Sequence, residues 1–469
     1  MGAVLFSSLE FLLLFLPLTL VVAWRLRGQP LLRWIAFTSV VFYAFAGHWW
    51  FIVPMLATTV VDYWVAILIE REARPRARRW LLALSLTGNL GMLAYFKYSG
   101  LMVRTVEQGL VAAGLEGSAG FFRWFEVVLP AGISFYTFQT LSYIIDVWRG
   151  QAPAERNFVR FAGFVSFFPH LVAGPLTRHH QLIPQLARIA RTGISPRWRE
   201  GVLLFSVGLC KKVLIADRLG NLIDPLLAPP LALDASRAWL GLLGYAFQIY
   251  FDFSGYSDMA IGLGRLFGIE LPQNFNSPYK ATSPSDFWRR WHMTLSQWLR
   301  DYLYIPLGGN RCSPARQRFN LMTTMVLGGL WHGANWTFAA WGTWHGLLLV
   351  GHHACSAWDR RLSPRWQRNA TFLLVTLGWV FFRSETFDHA ARWFGSLAGA
   401  HGLAPPWTSE TLSLAALVAL CLGLVRLCPN SLELPLDRLG RLPQIGLATA
   451  TAVAVLLMNY GSKFLYFQF

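Results

Sequence analysis

One histidine sits among glycines and tryptophans in the run Gly328-Gly329-Leu330-Trp331-His332-Gly333-Ala334-Asn335-Trp336, inside a strongly apolar stretch. An imidazole at membrane depth costs a few kcal/mol unless it is partnered, so its default reading is functional. Its chemistry would be proton transfer, because neutral imidazole is a base near physiological pH. The glycines at 328, 329 and 333 admit either a substrate or a neighbouring backbone at close range. The plainer reading of His332 is a core histidine bonded to a backbone carbonyl, and the residues alone leave both open.

A second histidine, His292, lies in Ser283-Pro284-Ser285-Asp286-Phe287-Trp288-Arg289-Arg290-Trp291-His292. Ser283, Pro284 and Asp286 make a helix start: a cap, a proline in the first turn and an acid at the capping-box position. Phe287, Trp291, Leu295, Trp298 and Tyr302 recur at three and four, which predicts one interfacial helix over 283–304 with its aromatics at headgroup level. Trp288 shares the His292 face, and Arg289, Arg290 and Arg300 lie off the stripe. Those arginines suit phosphate groups of a substrate or of lipid equally well.

A third stretch places Asp252 and Asp258 inside the apolar run Tyr250 to Asp258. Carboxylates there need partners, and structural pairing with Lys or Arg competes with a direct role. Lys97 fits a snorkelling lysine. His345, His352 and His353 have no acid beside them, so no metal site is expected.

These residues must be positioned by membrane helices. The chain has 469 residues, 54% of them hydrophobic and 14% charged, where a soluble domain carries ~25% charged residues. Apolar segments of about 20 residues favour helices over alternating barrel strands. They fall at roughly 5–24, 31–46, 50–69, 80–98, 124–147, 158–176, 200–217, 237–264, 320–353, 370–384, 411–427 and 443–460. The first is expected to be retained rather than cleaved. Residues 158–176, which end in His170-Leu171-Val172-Ala173-Gly174-Pro175, read as a re-entrant element. The whole chain is taken as one integral-membrane domain, 1–469.

The net charge of +17 sits in short loops, so the positive-inside rule explains it better than nucleic acid does. The basic loops at 25–33, 71–79, 178–199, 289–318 and 360–368 are expected to be cytoplasmic, which puts the N-terminus outside. Residues 265–318 then lie on the cytoplasmic face. About 34 residues separate the basic flanks of 319–353, where two full spans need roughly 40. A short hairpin is predicted, with His332 near its apex.

Several chemistries lack their motifs. There is no G-x-x-x-x-G-K-[ST] loop and no G-x-S-x-G elbow. No histidine is followed five positions later by aspartate, and the five cysteines form no C-x-x-C pair.

Together with Pro130-Ala131-Gly132-Ile133-Ser134-Phe135-Tyr136, Tyr302-Leu303-Tyr304-Ile305-Pro306-Leu307-Gly308-Gly309-Asn310 and the closing Phe464-Leu465-Tyr466-Phe467-Gln468-Phe469, these runs resemble the membrane-bound O-acyltransferases. The likeness is to the branch that O-acetylates alginate and related polymers such as cellulose. The resemblance implies an all-α polytopic fold of about eleven transmembrane helices plus re-entrant and interfacial helices, arranged as a ring with a central funnel.

The resemblance also implies roles. His332 is the family's essential histidine and His292 its second characteristic polar position. Acetyl-CoA or another acyl thioester is the donor, no cofactor is bound, and periplasmic acetyl-acceptor proteins of an export system in the inner membrane complete the transfer. On that reading His332 is the general base. His292 and Asn335 orient substrate or stabilise the oxyanion. Trp331, Trp288, Arg289, Arg290, Asp252 and Asp258 are candidate substrate contacts. D-alanyl transfer to a cell-wall polymer and a non-catalytic conduit for polymer or lipid-linked sugar are the rival readings.

Overall fold

The structure is a computed structural model that describes residues 6–114, 127–229, 231–355, 362–403, 408–435 and 438–458. The closing run 464–469 lies outside the described residues. Every regular element among those described is helical. In chain order they are α1 (Leu16–Arg25), α2 (Gly28–Phe45), α3 (Ile52–Arg71), α4 (Pro75–Ala112), α5 (Ile133–Trp148), α6 (Phe158–Ser166), α7 (Phe168–Leu171), α8 (His179–Thr192), α9 (Trp198–Cys210) and α10 (Asp217–Leu226). There follow α11 (Ala235–Leu266), α12 (Pro284–Arg290), α13 (Met293–Leu299), α14 (Pro314–His332), α15 (Trp336–Ala354), α16 (Pro364–Arg383), α17 (Phe387–Leu397), α18 (Ser409–Leu427) and α19 (Arg441–Leu457).

Two helical stretches among the described residues, Trp49–Arg71 and Ser409–Leu427, are long and apolar enough to cross a bilayer by length and composition alone. Others fall below that mark for a visible reason. The 32-residue α11 carries Gln248, Asp252, Ser254, Ser257 and Asp258 in its interior. Helix α14 opens on Arg316, Gln317 and Arg318.

The chain forms two compact units, residues 1–202 with 260–272, and residues 203–259 with 273–469. In the first, Phe11 packs edge-on against Phe42 and Phe168, with Phe11 and Phe42 centroids 5.7 Å apart. A buried polar network ties three helices together: Ser85 and Asn89 of α4 donate to Asp62 of α3 at 2.6 and 2.9 Å, and Thr140 of α5 donates to Asn89 at 3.3 Å. In the apolar segment expected over 124–147, the described residues 127–132 are not helical and the helix starts at Ile133, after Gly132 takes φ +73°. A Cβ at Gly132 would lie 2.7 Å from the Leu171 carbonyl oxygen, so only glycine fits there. Residues 158–176 are interrupted, breaking at Phe167 between α6 and α7. The basic segment 178–199 contains a helix, α8, which buries Leu182, Leu186 and Ile189 at helical spacing.

In the second unit, the single interfacial helix expected over 283–304 is two short helices. Ser283 caps α12 by accepting from the Asp286 amide at 3.1 Å, but the backbone turns extended at Trp291 and left-handed at His292, φ 41°. Phe287, Trp291, Leu295 and Trp298 are buried instead of lying at headgroup level, and bonds to Asn274 override the helical period of the stripe.

Helices α14 and α15 form a tight pair. Ser313 caps α14 and Asn335 caps α15, each accepting an amide two or three residues on. A Cβ at Gly329 would sit 2.3 Å from the Phe338 carbonyl oxygen, and one at Gly342 2.3 Å from that of Met325. The two backbones therefore touch, as small residues allow in membrane helix pairs. Gly342→Val should lower stability by about 3 kcal/mol, since overpacking against backbone has no flexible side chain to move aside. Thermal unfolding of the purified protein in detergent checks this. Gly351→Ala, with nothing within 4 Å of the added carbon, serves as the control and should leave the melting temperature unchanged or raised.

Candidate active site

His332 is the last residue of α14, where the chain leaves the helix into extended backbone at Gly333. It is 5% exposed. Its ring packs edge-on against Trp331 and Trp341, both at 5.1 Å, and against Phe382 at 5.4 Å. His292, 40 positions earlier in sequence, comes to 6.1 Å between ring centroids, and Trp331 stands 5.9 Å from it. The two histidines singled out from the sequence thus share one aromatic-walled site.

His292 reaches that site through the break between α12 and α13. Asn274 holds the break open. Its backbone carbonyl accepts from the Met293 amide at 2.9 Å. Its side-chain oxygen accepts from the Thr294 hydroxyl at 2.9 Å and the Thr294 amide at 3.4 Å, and lies 3.1 Å from His292 Nδ1. A distant carboxamide therefore does the capping work for α13. The His292 ring lies edge-on to Phe253 of α11 at 4.7 Å. Burial pushes its pKa down to about 3, so the ring is neutral.

The other candidates divide. Trp288 lies in the same cluster, 5.8 Å from Trp341 and 5.2 Å from His345. Arg289 is exposed, while Arg290 is engaged by Asp286 at 2.9 Å and Arg300 by Asp301 at 2.6 Å. Asn335 accepts from the Thr337 amide, and its Nδ2 donates to the Glu385 carbonyl at 2.6 Å, so its carboxamide joins two backbone segments. The glycines around His332 face protein: Gly329 meets α15, Gly328 meets Leu299 and Gly333 meets the Phe338 ring.

Both acids of the 250–258 run have lysine partners. Asp252 sits 2.7 Å from Lys212 Nζ, which also holds Asp217 at 2.6 Å. Asp258 pairs with Lys211 at 2.7 Å and accepts from the Ser431 hydroxyl. Sequence reading passed over Lys211 and Lys212, although two lysines in the apolar segment 200–217 matched to two acids in 250–258 were a usable signal. It also passed over Asn274. His345, considered only as a metal ligand, is buried against Phe287, Trp288 and Trp341, and neither ring nitrogen has a hydrogen-bond partner among the described residues.

Comparison with known proteins identifies the family. The membrane-bound O-acyltransferase family matches residues 152–384, a span that includes both histidines. A probable alginate O-acetylase of Azotobacter vinelandii is 45% identical over 429 residues, covering 88% of this chain and 81% of the relative. The peptidoglycan O-acetyltransferase of Helicobacter pylori is 36% identical, covering 85% and 80%. The teichoic acid D-alanyltransferase of Bacillus subtilis is 27% identical, covering 55% and 69%. With likeness of that extent over both chains, this protein belongs to the membrane-bound O-acyltransferases, and is a multi-pass membrane enzyme that transfers acyl groups to oxygen.

Proposed function

We propose that the protein moves an acetyl group from acetyl-CoA on the cytoplasmic side across the inner membrane, for O-acetylation of an exported polysaccharide of the alginate type. The observation that carries this reading is the meeting of His292 and His332 at 6.1 Å, in a site walled by Trp331, Trp341 and Phe382. His332 takes the proton of an acceptor hydroxyl as its oxygen attacks the thioester carbonyl. The tetrahedral adduct collapses, the carbon–sulfur bond breaks, and the proton passes from His332 to the leaving thiolate. A positioned base contributes about 10²- to 10⁴-fold in rate. Aromatic walls favour transfer over hydrolysis by keeping water out.

The exposed Arg289 is the arginine of the three left to meet donor phosphates. About eleven spans form one membrane domain, with 265–318 on the cytoplasmic face and 319–353 as a short hairpin entering from it. Periplasmic proteins of the export system receive the acetyl group. The relatives that support acetyl over D-alanyl transfer are those with the greater identity and coverage.

The test uses inside-out membrane vesicles containing the full chain, given acetyl-CoA labelled in its acetyl group. Acetyl-CoA should be consumed faster than in vesicles lacking the protein, with label moving into membrane-bound or lumenal acceptor. A conduit would leave acetyl-CoA intact, and that result would overturn the proposal.

A further inference from the structure

We infer that Asn274 is a positioning residue that locks His292 in one tautomer, with its proton on Nδ1 and its lone pair on Nε2, so that His292 works in the site by accepting a hydrogen bond. This deepens the acyl-transfer reading and rests on it.

The assignment follows from donors that have no choice. The Thr294 backbone amide only donates, and it points at the Asn274 side-chain atom placed 3.4 Å away. That atom must therefore be oxygen. The other end of the same carboxamide lies 3.3 Å from Ser257 Oγ, consistent with its being the amino group. The atom 3.1 Å from His292 Nδ1 is thus an acceptor, and Nδ1 must carry the proton. A neutral imidazole has one N–H and one lone pair, so the lone pair is on Nε2. The ring cannot flip cheaply, because Asn274 is 1% exposed and His292 fully buried, and the left-handed backbone at His292 is fixed by the Met293–Asn274 bond.

This narrows the chemistry. A ring that offers a lone pair does not stabilise an oxyanion, which needs a donor. His292 instead holds an acceptor hydroxyl, or a substrate N–H, in line with His332. An asparagine bonded to a histidine is a neutral form of the orienting arrangement that carboxylates supply elsewhere.

Described contacts bring groups to His292 from three elements. Helix α14 presents His332 and Trp331, α11 presents Phe253, and the segment before α12 presents Asn274 and Phe275. His332 is the titratable one among these contacts. A carboxylate placed at 274 would lie at hydrogen-bond distance from Nδ1, where the Asn274 oxygen now stands 3.1 Å away.

Three variants of the full chain are compared in the vesicle assay from pH 5 to pH 9, with melting temperatures recorded alongside. Asn274→Ala should lower the initial rate of acetyl transfer at least ~10-fold, as loss of an orienting partner does elsewhere. Thr294→Val, which removes the capping hydroxyl and leaves the Asn274–His292 contact, should keep it within ~3-fold. Asn274→Asp keeps every acceptor bond and adds a charge that favours the imidazolium. Wild-type His292 stays neutral across this window, whereas in Asn274→Asp its protonation should enter the window, so that the acid limb lies higher than in wild type.

Equal losses in Asn274→Ala and Thr294→Val would make Asn274 a cap only, and an unmoved acid limb in Asn274→Asp would remove the tautomer argument. Should Asn274→Ala fail to fold, Asn274→Asp carries the test, because it retains the cap. Wild type and His332→Ala separate the two levels. If wild type leaves acetyl-CoA intact, the acyl-transfer reading itself fails; if His332→Ala is dead while the 274 variants behave as wild type, only this inference fails.

Discussion

His332→Ala is expected to abolish polymer-bound acetate in cells while polymer is still made and exported. The loss should be at least ~10²-fold, the lower bound for removing a positioned base. The fold should survive. The α14–α15 pair is held by backbone contact at Gly329 and Gly342 and by the Asn335 cap, none of which involves the imidazole. Equal protein in the membrane, checked by immunoblot, makes the acetate measurement a readout of chemistry. His332→Gln should be as inactive, since an amide keeps hydrogen bonding but accepts no proton at neutral pH. Persistence of acetate in both variants would return His332 to the rank of a core histidine. Loss of polymer export itself would favour a conduit.

How much of this was legible in the sequence depends on how local each signal is. The helix starts at Ser283-Pro284 and Ser313-Pro314 are written in adjacent residues, and both form. The two histidines were legible by type and setting, because an imidazole among tryptophans in an apolar stretch is costly without purpose. Their approach to each other was not. It depends on a break after Trp291 that Asn274 imposes from 18 positions away, and the helical stripe through Phe287, Trp291 and Leu295 argued for the opposite. Arg289, Arg290 and Arg300 looked alike in sequence and differ in the fold, because Asp286 and Asp301 engage two of them. Gly329 could have faced a substrate or a backbone, and only the Phe338 carbonyl against it decides.

By sequence alone Asp252 and Asp258 suit a structural or a direct role, and their lysines allow a decisive experiment. Lys212 is 4% exposed at its side chain, and its two partners, Asp217 and Asp252, are 3% and 2% exposed. Removing the ammonium leaves two carboxylates close together without their cation. Breaking a buried pair from one side costs about 3 to 5 kcal/mol, whereas neutralising all members is far cheaper. Lys212→Met should therefore strip most folded protein from the membrane and lower the melting temperature sharply. The triple variant Lys212→Met, Asp217→Asn, Asp252→Asn should recover most of both. Acetylation in the triple variant then assigns the role of Asp252. If acetate returns with the protein, the triad serves the fold alone. If protein returns and acetate does not, a charge of this cluster takes part in transfer. A Lys212→Met variant as abundant and as stable as wild type would mean that the triad, despite its burial, bears no weight in the fold.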